Sequence, residues 1–348
     1  MIQSGESLIS FVGAAESGIV PEIYEAFAAT RGLAEDKNLI KLQEQLGEDY
    51  EIPNHRKICR PFGENIGMIL GESAQFIVLM QDSLALELGL NIHGAALSSH
   101  IHSDGYKKSI SGPGAGNYLT VGKIFNEIKK HFSSDALNKT FFHAHGTSTP
   151  QNRESESHII SSISKAFGIK ALPVTAIKSY LGHSLAAAGG DQMISTLGSW
   201  KNNLIPGITS TPELAKNVHK ENVEFLLQNK KIGNGEFDFA VLNAKGFGGN
   251  NGTSLVSSPS KTMQMLKSKY SKKDIDAYLI KKSKIDDQLE KTKQEILKGD
   301  ITSRYIFGEN VIDGMNDFDI ETDKITNKFN QEVFDLNSTL PYKDYLKS

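Results

Sequence analysis

Residues 176–190, AIKSYLGHSLAAAGG, place a lysine, a histidine and a run of small residues in one short stretch. The apolar residues before Lys178 predict a strand, and the alanines and glycines after His183 predict a helix that packs closely on its neighbours. A helix N-terminus disfavours a charged imidazolium, so we expect His183 to be neutral and able to donate a hydrogen bond. A simple helix cap is the alternative interpretation of this histidine.

A second polar stretch, residues 143–150 (HAHGTSTP), follows an apolar segment that predicts a strand. His143 and His145 are two residues apart, a spacing that places both on one face of a strand. They are candidate metal ligands, or one of them is a candidate acid–base group; a structural histidine is the alternative interpretation. The glycine and hydroxyl residues that follow, with Thr147 and Thr149 among them, allow a tight turn rich in backbone donors.

A glycine-rich stretch, residues 243–252 (NAKGFGGNNG), forms the third motif. It lacks the Gly-Lys-Ser/Thr of a phosphate-binding loop, and no helical pattern follows it. We therefore expect a mobile loop in which Phe247 is flanked by Gly246, Gly248 and Gly249, with a plain β-turn as the alternative.

Composition limits the classes of function. The formal net charge of −3 argues against a nucleic-acid-binding protein. The single cysteine, Cys59, excludes an internal disulfide and a cysteine-rich zinc module, and it suits a reducing, cytoplasmic setting. No apolar run approaches the ~20 residues of a membrane span.

Short apolar runs alternate with helical patterns through residue 257, which predicts an α/β architecture. The predicted strands cover residues 7–12, 68–80 with a break at 71–73, 92–101, 140–145, 172–177, 223–227, 237–244 and 253–257, and the predicted helices cover 117–131, 154–167 and 184–200.

Together, and in their order along the chain, the three motifs resemble those of elongating β-ketoacyl-acyl-carrier-protein synthases, which are condensing enzymes with a thiolase-like fold. The resemblance runs from about Gly5 to Val256. It is also carried by Gly5-Glu6-Ser7, Val12-Gly13-Ala14-Ala15-Glu16, Arg60-Pro61-Phe62 and Gly71-Glu72-Ser73-Ala74.

This resemblance implies a decarboxylative Claisen condensation of an acyl thioester with malonyl-acyl carrier protein, in fatty acid or polyketide biosynthesis, without a metal or other cofactor. It implies that His145 and His183 stabilise the enolate and that Lys178 supports them electrostatically. The backbone N–H of Phe247 would complete an oxyanion hole, and its ring would guard the acyl pocket. The supporting loops would consist of Gly246, Gly248, Gly249, Thr147 and Thr149.

The nucleophilic cysteine of the family has no match in this chain, because Cys59 lies beside Arg60 at no corresponding position. We expect Cys59 to be a buried or incidental thiol. We further expect a complete C-terminal thiolase-like half (91–258), the end of the N-terminal half (1–90) with an uncovered apolar face, and a charged helical extension (259–348). A second chain would then supply the cysteine and the missing strands.

Two other functions stay open. The first is a non-catalytic partner of a ketosynthase, resembling a chain-length factor or a scaffold, because the chain departs from the family pattern at several positions. The second is a metal-binding protein that uses His143 and His145 with His100 and His102, although no acidic or thiolate cluster accompanies them. The departures are Ser73 in the Gly-Glu-Gly turn, Arg153 for aspartate, Gln192 for glutamate and Asn250 for threonine.

The C-terminal part is strongly charged. Residues 261–300 contain 11 lysines and 7 acidic residues, and their apolar positions repeat with a helical period over 274–298. This pattern predicts an amphipathic helix that ends at Gly299. Two interpretations of this helix stay open: it packs on its own domain, or it docks a partner. Its lysines would suit an acidic carrier protein as that partner.

Overall fold

The computed structural model describes residues 1–2, 4–105, 114–300, 312–313 and 315–337. The strands are β1 (Ile9–Glu16), β2 (Ser73–Met80), β3 (Ala95–Ser103), β4 (Thr140–His143), β5 (Leu172–Thr175), β6 (Leu204–Ile205), β7 (Val223–Phe225), β8 (Lys230–Lys231), β9 (Phe239–Lys245), β10 (Asn250–Ser257), β11 (Phe318–Ile320), β12 (Lys324–Asn327) and β13 (Val333–Asp335). The α-helices are α1 (Pro21–Ala29), α2 (Asp36–Gln45), α3 (Asp82–Leu88), α4 (Ala115–His131), α5 (Pro150–Ala166), α6 (Lys178–Leu181), α7 (Ala188–Asn202), α8 (Pro259–Lys269) and α9 (Lys272–Lys298).

The main sheet has six strands in the order β3-β10-β9-β4-β5-β7. Strands β9, β4, β5 and β7 run parallel, whereas β10 is antiparallel to both β9 and β3. The central strands are almost completely buried because they consist of apolar runs such as Phe141-Phe142 and Ala240-Val241. The α/β architecture predicted from the sequence is confirmed, and the polar segments after β4, β5 and β9 lie near one another.

Strands β1 and β2 form a separate antiparallel pair. Helix α7 contacts both β2 and β9, so it lies between this pair and the main sheet. The opposite face of the pair carries Phe11, Phe76 and Val78, whose side chains are exposed by 77%, 65% and 51%. The predicted uncovered apolar face is therefore present.

The described residues divide into two compact units, Met1–Asp286 and Asp287–Ser348. In the first unit, Ile275 and Tyr278 from the start of α9 pack with Leu86 and Leu266. The amphipathic helix predicted over 274–298 is confirmed, and its first turns pack on its own domain. The predicted divisions after residues 90 and 258 stay predictions.

The second unit corrects one expectation. Residues 259–348 were expected to be helical, but β11, β12 and β13 form a three-stranded antiparallel sheet between Phe318 and Asp335. These strands are short and mostly polar, so the periodicity of their sequence does not distinguish them from a charged helix. Among the described residues, no helix is both long and apolar enough to cross a membrane.

Candidate active site

A cavity of about 740 Å³ in the first unit brings the sequence motifs together. It is lined by His145, Thr147 and Thr149 from the loop after β4, by His183, and by Gly246 and Phe247. Its wall also includes Glu16, Leu185, Ala186 and Lys245 from the quoted motifs, and residues outside those motifs, namely Phe27, Thr30, Arg31, Gly32, Met68 and Gln151. Because β1 and α1 contribute to this wall, the cavity joins segments that are far apart in the sequence.

The loop that carries His145 is held by a buried carboxylate. Strand β4 ends at His143, so His145 lies beyond the strand. The strand predicted from the sequence extended to residue 145 and would have included it. The backbone N–H groups of His145 and Gly146 donate to Oε1 and Oε2 of Glu156 at 2.7 and 2.9 Å. The side-chain amides of Asn152 and Asn243 donate to the same carboxylate, which is fully buried. Glu156 therefore fixes the loop, and sequence reasoning did not identify it.

The two cavity histidines have the same hydrogen-bonding pattern. The backbone N–H of Lys245 donates to Nδ1 of His145 at 3.2 Å, and the backbone N–H of Leu185 donates to Nδ1 of His183 at 3.1 Å. Since Nδ1 is an acceptor in both rings, each neutral ring carries its proton on Nε2. The ring centroids are 5.4 Å apart, with an interplanar angle of 82°. The cavity thus has two neighbouring Nε2–H donors.

Burial keeps both rings neutral. Loss of hydration is the larger cause, and the positive charge of Lys178 is the second; together they lower the pKa of His183 from 6.5 to about 3. The same causes hold the pKa of His145 well below 6.5. The neutral state expected for His183 is supported, but its main cause is burial. A 3₁₀ turn precedes α7, which begins only at Ala188, so His183 does not lie at the start of that helix.

Lys178 lies behind the histidines at the start of α6. Its Nζ donates to the backbone carbonyl oxygen of His145 at 2.7 Å, and its side chain is almost completely buried. Burial lowers the pKa of Lys178 to about 8, although Glu156, Cys59 and Asp191 act in the opposite direction. This ammonium group therefore touches the loop that carries His145.

Cys59 is closer to the site than its sequence position suggested. Its Sγ donates to the backbone carbonyl oxygen of Lys178 at 3.1 Å. Burial raises the pKa of the thiol to about 12, despite the opposing charge of Lys178. The residue does not line the cavity. Cys59 is therefore a protonated thiol outside the cavity and a poor nucleophile.

The glycine-rich loop forms a 3₁₀ turn at Phe247–Gly249. Gly248 and Gly249 have φ values of 77° and 86°, which favour glycine over any other residue. The Phe247 side chain is 54% exposed, and its ring centroid lies 5.9 Å from that of Phe27 in α1. An aromatic ring therefore stands at the edge of the cavity on a backbone turn that only glycines adopt easily.

The departures from the family pattern are accommodated structurally. Arg153 forms an ion pair with Glu64 at 2.8 Å, and its Nη1 donates to a backbone carbonyl. The Gln192 amide donates to the carbonyl oxygens of Ala144 and Asn243 at 2.8 and 3.0 Å. Both replacements thus have satisfied buried polar groups.

The residues of the metal-binding alternative do not meet. His100 bonds to Glu127, and Nε2 of His102 accepts from Lys123. Within the part of the chain that the structure describes, no group of three or more His, Cys, Asp or Glu residues is arranged to hold a metal ion.

Comparisons with known proteins show which sequences this chain resembles. Residues 94–211 match the family described as the C-terminal domain of β-ketoacyl synthases. The chain is 40% identical over 318 residues to the β-ketoacyl-[acyl-carrier-protein] synthase FabY of Pseudomonas aeruginosa, a match that covers 90% of this chain and 49% of that protein. It is 25% identical over 259 residues to 3-oxoacyl-[acyl-carrier-protein] synthase 2 of Staphylococcus aureus, covering 72% and 56% of the two chains.

Solved structures give the same result. The crystal structure of the noncanonical ketosynthase FabY from P. aeruginosa matches with a TM-score of 0.88 and 37% identity, covering 99% of this chain and 53% of that one. A type II polyketide ketosynthase in complex with its acyl-carrier protein matches with a TM-score of 0.61 and 19% identity over 74% and 58% of the two chains, a likeness of fold alone. The chain spans about half the length of the curated relatives it matches.

Proposed function

We propose that this chain, a homologue of the β-ketoacyl synthases with their thiolase-like mixed α/β fold, contributes the His145/His183/Lys178 site to a decarboxylative condensation. The observation that carries the proposal is the pair of neutral imidazoles lining one cavity, each with Nδ1 occupied by a backbone N–H. Preorganised donors stabilise charge best where it develops in the transition state. Two adjacent Nε2–H groups suit an oxygen that gains negative charge.

In the proposed reaction, the malonyl thioester loses CO₂, and the electron pair of the broken C–C bond moves onto the thioester oxygen. His145 and His183 donate to that oxygen and stabilise the enolate. The enolate carbon then attacks the carbonyl carbon of an acyl group held on a thiol. The new C–C bond forms, the C–S bond breaks, and the sulfur leaves as a thiolate that takes up a proton.

Two other residues support this chemistry. Lys178 would hold the His145 backbone and disfavour protonation of both rings. The backbone N–H of Phe247 would donate to the acyl oxygen, while its ring would guard the acyl pocket together with Phe27. Thr147 and Thr149 line the cavity wall, and Gly246, Gly248 and Gly249 would allow the gating loop its shape.

The nucleophilic thiol would come from outside the described site. Cys59 is excluded by its position and its raised pKa. We favour a second chain that carries the cysteine and packs on the uncovered apolar face of β1 and β2. A groove of about 900 Å³, lined in part by Val12, Leu79 and Leu97, offers further apolar surface between β1–β2 and β3. Acyl carrier protein would deliver the substrates in the cytoplasm.

A chain-length-factor-like or scaffolding role is the second candidate. It is favoured by Arg153 and Gln192, which replace acidic residues of the family pattern and are used structurally. The neutral histidine pair and the buried lysine favour the catalytic role, because a scaffold has no need for two aligned donors.

The proposal is tested by co-expressing the chain with the products of neighbouring genes and supplying an acyl thioester. We expect a cysteine-bearing chain to co-purify in equal amounts and to be the one acylated, as located by mass spectrometry. Cys59→Ser should leave acylation intact. Acylation of Cys59 itself would contradict the proposal, and condensation by this chain with no cysteine-bearing partner would contradict the second chain.

A further inference from the structure

His143, the last residue of β4, is buried to 1% exposure and does not line the cavity. The backbone N–H of Ile177 donates to its Nε2 at 3.2 Å. Because Nε2 is an acceptor, the proton of the neutral ring is on Nδ1, which faces Oγ1 of Thr196 in α7 at 3.3 Å. This is the opposite tautomer to that of the two cavity histidines.

These two contacts join three segments of the site. Ile177 directly precedes Lys178, whose Nζ donates to the carbonyl oxygen of His145. His145 lies two residues after His143 along the chain. Thr196 belongs to α7, the helix that follows His183. One buried ring therefore connects the end of β4, the turn into α6 and helix α7.

We propose that His143 is a positioning residue, whose Nε2 fixes the Ile177 amide and thereby holds Lys178 against the His145 carbonyl. This inference rests on the proposed function, since it assigns a role in the same reaction. It goes beyond that function because His143 touches neither the cavity nor the lysine ammonium group.

The neutral ring suits this role because it offers one acceptor and one donor in a rigid plane. Protonation would convert Nε2 into a donor and break the bond from Ile177. Burial and the nearby charge of Lys178 lower the pKa of His143 to about 3, so the ring stays neutral at physiological pH. An unpaired, partly buried N–H at Ile177 would cost free energy, so the turn requires an acceptor at this position.

Two amide substitutions separate the two contacts. In His143→Gln, the glutamine amide reaches the position of Nε2, and its oxygen is an acceptor near the Ile177 N–H. His143→Asn is one bond shorter, and its amide reaches Thr196 but not Ile177. We expect kcat for condensation by the complete enzyme to fall about tenfold in the Asn variant with KM nearly unchanged, because Lys178 loses its fixed position. The Gln variant should retain most of the wild-type kcat.

Amide hydrogen exchange at Ile177 gives a readout that needs no activity. We expect slow exchange in the wild type and in His143→Gln, and exchange at least tenfold faster in His143→Asn. Equal kcat or equal exchange in the two variants would overturn the inference. An inactive wild-type enzyme would instead reject the proposed function, while the exchange comparison would still decide the role of His143 in fixing the turn.

Discussion

Nζ of Lys178 lies 2.7 Å from the carbonyl oxygen of His145, in a site where both side chains are buried. The position of this ammonium group explains two properties at once. The hydrogen bond fixes the backbone of one cavity histidine, and the positive charge lowers the pKa of both His145 and His183. A single buried cation therefore adds to the effect of burial in keeping the two imidazoles neutral.

Lys178 should determine the alkaline limb of the pH–rate profile for condensation. Burial lowers its pKa to about 8, so the ammonium is charged below this pH and loses its proton above it. We expect the condensation rate of the complete enzyme to fall as the pH rises through 8. In Lys178→Arg the guanidinium stays charged, so this fall should vanish even if the overall rate is lower. An identical alkaline limb in both proteins would refute the assignment.

His143 should make stability sensitive to acid. Its folded pKa of about 3 lies below the usual 6.5, so the unfolded state binds the proton more readily. The contribution of neutral His143 to the unfolding free energy is complete above pH 6.5 and is lost as the pH falls toward 3. Between pH 6.5 and 5, we expect the wild type to lose about 1.5 kcal/mol more unfolding free energy than His143→Gln.

Urea unfolding at the two pH values measures this difference. His93→Gln, at an exposed histidine, is the matched control and should retain the wild-type pH dependence. If His143→Gln shows the same acid sensitivity as the wild type, the buried neutral state of His143 is wrong.

Glu156 should be important for stability. In Glu156→Gln, one carboxylate oxygen becomes an NH₂ group that faces one backbone N–H donor of the His145 loop and one asparagine amide. We expect a loss of about 3 kcal/mol in unfolding free energy, measured in urea on the full chain. Glu154→Gln, on the same helix but exposed, should change it by less than about 0.5 kcal/mol. Similar losses in both variants would argue against the role of Glu156.

Truncation should separate the two parts of the C-terminal extension. Removing residues 261–348 deletes Leu266, Ile275 and Tyr278, which are buried in the first unit. We expect this chain to lose several kcal/mol of stability or to fail to fold. Removing residues 287–348 leaves that cluster intact, so thermal unfolding should be close to that of the full chain. Equal destabilisation by both truncations would contradict this description.

The alternation of apolar runs and helical patterns predicted the α/β core, whereas only the family resemblance of the motifs grouped His145, His183, Lys178 and Phe247 into one predicted site. The sequence did not indicate Glu156, since a buried carboxylate on a polar-looking helix has no distinctive pattern. It also attributed the neutrality of His183 to a helix start, whereas the main cause is burial, a property of tertiary packing. The proximity of Cys59 to Lys178 joins residues 119 positions apart, which no local pattern reveals.

The most direct test compares acyl transfer and condensation in the complete enzyme carrying His145→Ala in this chain. We expect the thiol still to be acylated while condensation with malonyl thioester falls by about 10²-fold or more, because one enolate donor is lost. His93→Ala serves as the control and should retain both steps. Undiminished condensation by His145→Ala would contradict the claim that this histidine pair stabilises the enolate.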